Sequence, residues 1–192
     1  SKIVTFGEIM LRLTPPGREV ILQTPQFIAT PGGAEANVAV SLANYGEEVS
    51  YITALPENSI AEAIIRELKR FNIKTECILR SGDRVGTYYT QTGSVMRPSK
   101  VIYDRAYSAI SEVKPGDFDW DAIFEETKWF HVTGITPAIA QGTAEVTMEA
   151  LKKCKGKGIT VSCDLNYRKK LWKWGKPAVE VMAEVAKYVD VM

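Results

Sequence analysis

The sequence predicts a doubly wound α/β fold: a mainly parallel sheet flanked by helices, with a small β-sheet lid. Two observations predict it. Apolar β-rich runs alternate with amphipathic helical stretches, as in βαβ units whose parallel sheet is covered by helices on both faces. Two stretches, 13–32 and 86–107, break that rhythm and read as strands outside the main sheet. The expected division is a core of residues 1–12, 33–85 and 108–192 and a lid of residues 13–32 and 86–107.

The elements follow in order. "KIVTFG" is a first strand ending in Gly7. Residues 13–32 hold four of the nine prolines and show no helical period. Residues 34–45 read as a helix with Val38, Leu42 and Tyr45 on one face, and "VSYITAL" as a strand. Residues 59–70 form an amphipathic helix striped by Ile60, Ile64, Leu68 and Phe71, before a strand at "IKTECIL". Residues 86–107 alternate around a Gly-Ser turn and a loop at "RPS". Then come a strand at "WFHVTG", a helix over 141–154, the strand "GITVSCDLN" and a helix over 177–187. "YVDVM" reads as a strand entering the sheet with nothing after it to cover it, which suggests a piece of a longer protein.

Composition narrows the function classes. Hydrophobic residues make up 45% and charged residues 24%, ordinary for a soluble globular chain. A net charge of +1, from 24 basic and 23 acidic residues, gives no support for nucleic-acid or membrane-surface binding. No apolar run approaches the ~20 residues of a membrane span, and "SKIVTFGEIM" lacks a signal-peptide pattern, so the expected location is the cytoplasm. Cys77, Cys154 and Cys163 are odd in number and form no CxxC, which argues against a disulfide framework or a zinc site. They read as small buried residues in a reducing compartment, and no metal ligand set is expected. His131, the single histidine, lies in a strand-like run and reads as a core or near-site residue rather than a base.

Four segments carry candidate chemistry, because a doubly wound sheet binds ligands at the carboxyl ends of its strands. In "PGGAEANVAVSLANYG", Gly32 and Gly33 let a ligand approach the backbone at a helix start, and Asn37 can both donate and accept hydrogen bonds. It is neither a Walker loop nor a GxGxxG fingerprint. In "VGTYYTQ", Tyr88 and Tyr89 point to opposite faces of a strand, so one can face a ligand. In "VIYDRAYSAIS", alternation puts Tyr103 and Arg105 on one side, a pair suited to a carboxylate; a surface ion pair of Arg105 with Asp104 is the plainer alternative. In "CDLNYRKKLW", Asp164, Asn166 and Arg168 emerge where an apolar strand ends. Lys152, Lys153, Lys155 and Lys157 form a solvated, dipole-favoured helix end.

These segments in this order resemble the ribokinase-like (PfkB) carbohydrate kinases. "GGAEANVAVSLANYG" looks like the family's first signature, and "FGEIMLRL", "RPSKVIYDRAYSAIS", "FHVTGITPAI" and "DLNYRKKLW" are similar to its 2-keto-3-deoxygluconate kinase branch. The resemblance covers essentially the whole chain. It implies a doubly wound core with a β lid that often serves as the dimer interface. It implies ATP and Mg2+ as cofactors, and a sugar acid held by Gly32, Gly33, Asn37, Tyr88 and Tyr103, with Arg105 and Arg168 near its carboxylate and Asp164 and Asn166 in support. Arg12 stands about where relatives acting on neutral sugars carry an aspartate, which is consistent with an acidic substrate. The family's Gly-Ala-Gly-Asp turn, which supplies the base, and its Asn-x-x-Glu element for magnesium are absent from these 192 residues. The base and most of the adenine site are therefore expected beyond Met192, and the chain alone is expected to be inactive. The alternatives are a fructokinase or other sugar kinase of the family, or a non-catalytic sugar-acid binder.

Overall fold

The computed structural model describes residues 2–192. The chain begins β1 (Lys2–Phe6), β2 (Met10–Thr14), β3 (Ile28–Gly32), α1 (Ala34–Asn44), β4 (Glu48–Ile52), β5 (Ala54–Leu55) and α2 (Ser59–Arg70). It continues through β6 (Leu79–Arg80), β7 (Thr87–Gln91), β8 (Lys100–Asp104), a 3-10 turn at Ala109–Glu112, and α3 (Trp120–Ile123). It closes with β9 (Thr127–Thr133), α4 (Ile135–Ile139), α5 (Gln141–Lys157), β10 (Thr160–Asp164) and α6 (Ala178–Ala186).

The fold is α/β, a parallel sheet flanked by helices. Its main sheet runs in the order β10-β9-β1-β4, with every pairing parallel. The chain leaves β1 toward β4 on one side and returns to β9 on the other. The carboxyl ends of β1 and β9 therefore flank a point where connections diverge, and a crevice opens there. Helix α1 packs on β4, β1 and β9. On the other face Phe6, Phe118, Trp120, Phe124 and Phe130 interlock, with ring centroids 5.1 to 6.1 Å apart and mostly edge-to-face. Helix α2 starts where the Asn58 side chain accepts from the Ala61 amide at 3.0 Å, and α5 stops at Gly158, whose φ is +66°.

A second sheet, in the order β3-β2-β7-β8, joins two antiparallel pairs through a parallel β2–β7 contact. Its register sets Arg12 opposite Tyr88 and Tyr88 opposite Tyr103, while Met10 lies opposite Gly32. Directly opposed residues share a face, so one side of this sheet carries Met10, Arg12, Gly32, Tyr88 and Tyr103.

Several local expectations change. Residues 10–12, read as core, belong to β2 of the second sheet. Helix α1 buries Glu35, Ala36 and Ala39, whereas Val38 and Leu42 are only half-buried and Tyr45 is exposed. Small alanines let the helix sit close on the sheet, which the larger side chains could not do. In α2 the buried stripe is Ala61, Ile64, Ile65 and Leu68, with Ile60 exposed. "IKTECIL" is mostly turn, with one bridge from Lys74 to Ser50 and a strand only at Leu79–Arg80. Its Ile73 and Ile78 are buried, so their β-rich character serves packing rather than pairing. "YVDVM" makes a single bridge, Val191 to Ser162 beside β10. Cys77 is exposed, against the buried reading, while Cys154 and Cys163 are buried, with burial pushing each thiol up to about 12. Lys153 and Lys157 are tied to Asp121, at 2.6 and 3.3 Å. No described helix is long and apolar enough to cross a membrane.

Phe130→Ala would open a cavity in the aromatic core that its neighbours cannot fill. It is expected to cost about 3–5 kcal/mol, read as a lowered denaturant midpoint with unchanged slope.

Candidate functional site

A cleft of about 640 Å³ opens at the carboxyl ends of the main strands, between them and the second sheet. It gathers eight of the nine residues singled out from the sequence: Gly32 from the end of β3, Gly33 and Asn37 from the start of α1, Tyr88 and Tyr103 from the second sheet, Arg105 just after β8, and Asn166 and Arg168 from the loop after β10. Asp164 is the exception. Its Oδ1 accepts from the Asn166 amide at 3.0 Å, and the Asn166 side-chain oxygen accepts from Arg168 Nε at 3.0 Å. Asp164 thus folds the loop that carries two lining residues, with Asn166 held at a φ of +34°.

The helix start is fixed from below. A Cβ on Gly33 would collide with the Glu8 carbonyl, so only glycine permits this close passage of two backbones. Two residues on, the Glu35 carboxylate is buried under α1. Its Oε1 accepts from the Thr133 amide at 3.0 Å, from Thr133 Oγ1 at 2.7 Å and from Thr136 Oγ1 at 2.7 Å. Burial raises its pKa above the ordinary carboxylate value, and the threonine hydrogen bonds pull the other way. Tyr51 donates to the Gly7 carbonyl at 2.9 Å nearby, its phenol pushed well up by burial and by the charge of Glu35.

The roof is aromatic. Tyr88 and Tyr103 stack with centroids 5.8 Å apart, and the Arg105 guanidinium lies 5.6 Å from the Tyr103 ring centre. Tyr89, on the opposite face of β7, packs against Phe27. Arg105 is ion-paired with buried Glu8, not with Asp104, which pairs with Arg84 at 3.0 Å. Burial raises the Glu8 carboxyl despite the Arg105 charge beside it. Arg12 shares the sheet face but stays exposed, donating from Nε to Thr30 Oγ1 at 2.9 Å.

The rim is cationic. Arg168, Lys169 and Lys170 line the cleft, and among the described residues none of them is ion-paired with a carboxylate. Since Glu8 balances Arg105, the surplus charge comes from this loop. The arrangement offers a carbohydrate-sized ligand backbone amides, a carboxamide, stacked tyrosines and unpaired cations. That is chemistry for a hydroxylated anion. Sequence reading missed Glu8, Lys169 and Lys170 as lining residues. The signal for Glu8 was a lone acid directly after the glycine that ends an apolar strand.

His131 does not line the cleft. Its Nδ1 is 2.9 Å from Ser162 Oγ in the strand interior, and burial lowers its pKa, favouring the neutral ring. Among the described residues no three His, Cys, Asp or Glu side chains gather into a metal-binding set.

Comparison with known proteins places this geometry. The model of the pfkB family of carbohydrate kinases matches residues 1–192. The chain belongs to that family. A 2-dehydro-3-deoxygalactonokinase of Haloferax volcanii is 36% identical over 172 residues, covering 90% of this chain and 54% of the relative. The crystal structure of a 2-dehydro-3-deoxygluconokinase from Thermotoga maritima superposes with a TM-score of 0.95 at 50% identity, covering 98% of this chain and 58% of that one. A Pyrococcus horikoshii sugar kinase solved in complex with ATP superposes at 0.85 with 26% identity, covering 98% and 61%. The pfkB chain thus spans little more than half the length of the relatives it matches.

Buried Glu35 gives this pfkB-family chain a pH signature. A raised folded-state pKa means that Glu35 binds its proton more tightly folded than unfolded. The stability it contributes is fully present below the ordinary carboxylate value of 4.5 and is lost as pH rises through the folded value. Glu35→Gln removes that titration. Its melting temperature, relative to the parent protein, is expected to rise as pH increases above about 4.5 and to level off beyond the folded-state value in thermal melts. A difference that does not vary with pH would contradict the assignment.

Proposed function

We propose that this chain forms the sugar-binding half of an ATP-dependent kinase that phosphorylates 2-keto-3-deoxygluconate to 2-keto-3-deoxy-6-phosphogluconate. The single observation that carries the substrate class is the unpaired cationic rim, Arg168 with Lys169 and Lys170, facing a cleft whose inner arginine is already balanced. A sugar acid gains from such a rim what a neutral sugar cannot, since charge-assisted hydrogen bonds contribute roughly 1.5–3 kcal/mol each. The names of the similar Haloferax and Thermotoga kinases, both acting on 2-dehydro-3-deoxy sugar acids, support the same class.

In this reading the amides at Gly32 and Gly33 and the Asn37 side chain hold sugar hydroxyls, and Tyr88 and Tyr103 cover the carbon skeleton. Arg105 and Arg168 meet the carboxylate, while Asp164 and Asn166 shape the loop that brings Arg168 in. The second sheet acts as a lid that excludes water over the cleft and offers a surface for a second copy. ATP, with Mg2+, supplies the phosphoryl group for a primary hydroxyl of the sugar acid. The base, the metal ligands and most of the adenine contacts belong to parts of the enzyme outside this chain. What the chain contributes is orientation, which accounts for a large share of phosphoryl-transfer catalysis. The protein works in the cytoplasm.

In the whole kinase, Arg168→Ala is expected to raise the KM for 2-keto-3-deoxygluconate by roughly 10- to 100-fold while changing that for fructose by less than about threefold. Equal losses for both sugars would favour a neutral-sugar kinase. The 192-residue chain on its own is expected to release no ADP with ATP and the sugar acid, measured in a coupled assay. Sugar-dependent turnover would refute the division of labour.

A further inference from the structure

Glu8 is a charged side chain, only 4% exposed, at the end of the first strand. A buried carboxylate is costly unless it is paired. Here both oxygens are engaged within the protein. Oε2 meets the Arg105 guanidinium, and Oε1 accepts from Ser108 Oγ at 2.9 Å. These contacts join residues 97 and 100 positions apart in sequence, so one side chain ties the β1–β2 connection to the segment that leaves β8. The space is tightly filled: a Cβ on Gly86 would sit 2.5 Å from Glu8 Oε1 and 3.3 Å from Arg105 Cβ.

Arg105 in turn is held from two sides, by Glu8 and by the Tyr103 ring 5.6 Å below it. Its side chain is 11% exposed, and Arg105 lines the cleft. A free arginine samples many rotamers and loses them on binding a ligand. An arginine already clamped has lost them beforehand. Glu8 also cancels the charge of Arg105, so this guanidinium acts as an oriented donor rather than as a long-range attractor.

We propose that Glu8 is a positioning residue of the sugar site, acting through Arg105: it fixes the guanidinium in the geometry that receives the substrate's acidic end. This rests on the reading of the cleft as a sugar-acid site.

The test is a double-mutant cycle in the whole kinase, with KM and kcat for 2-keto-3-deoxygluconate read separately and melting temperature read alongside. Glu8→Ala is expected to raise KM by about 5- to 100-fold, with kcat little changed. Arg105→Ala should do the same, and the double variant should be no worse than Arg105→Ala alone. Glu8→Gln keeps the shape and one acceptor for Arg105, so it should restore most of the lost affinity. Should Glu8→Ala fail to fold, the cycle of Glu8→Gln with Arg105→Ala reads the same coupling at smaller amplitude. Fully additive KM penalties, or a Glu8 variant with a lower melting temperature and an unchanged KM, would overturn the proposal and leave Glu8 a structural residue. If Arg105→Ala itself leaves KM unchanged, the fault lies with the substrate reading, and the positioning role falls with it.

Discussion

One buried carboxylate fixes the geometry on which the cleft depends. Glu35 sits in the first turn of α1, yet its hydrogen bonds go to Thr133 at the end of β9 and Thr136 in α4. It therefore joins the start of the glycine-led helix to the strand beside β1. Gly33 completes the joint by letting the chain cross against the Glu8 backbone. The helix start, with Asn37 in its first turns, is thereby set at the divergence point of the sheet. A carboxylate in such a place is expensive to bury, and its raised pKa records that cost.

A second buried carboxylate repeats the device one layer up. Glu8 links the end of β1 to Arg105 and Ser108, and so holds the second sheet over the first. Both acids line the cleft and both are buried. Glu35 is enclosed by hydroxyls and an amide, and Glu8 by a guanidinium. Positive charge at the mouth comes from the exposed loop of Arg168, Lys169 and Lys170. The inner arginine is thus paired with a buried acid, and the rim is cationic and exposed. Under the proposed function, the rim would draw the acidic substrate and the paired interior arginine would orient it.

This division explains why the chain's bulk charge is uninformative. A net charge of +1 conceals a local excess, because most acids and bases lie far from the cleft and offset one another. It also separates the roles of neighbours in sequence. Asp164, Asn166 and Arg168 alternate along one segment, but only the last two line the cleft, and the first shapes the turn that presents them.

The sequence by itself determined the α/β class and the order of its major elements, because alternation of apolar strands with amphipathic helices is a local property of the chain. It also determined which segments carry the cleft: glycine turns, strand alternation and strand ends pointed to four segments that meet at one cavity, while the choice of Tyr88 over Tyr89 came from the family resemblance. Tertiary structure alone decided the rest. The buried face of α1 follows from how near the helix must lie to the sheet, which favoured alanines over Val38 and Leu42. The partner of Arg105 is Glu8, not its neighbour Asp104, because the second sheet folds back over the end of β1. "IKTECIL" became a turn because its isoleucines found a core to fill before a strand to pair with. Periodicity records which way a residue points along its own element. It holds no record of what another element, a hundred residues away, will bring to meet it.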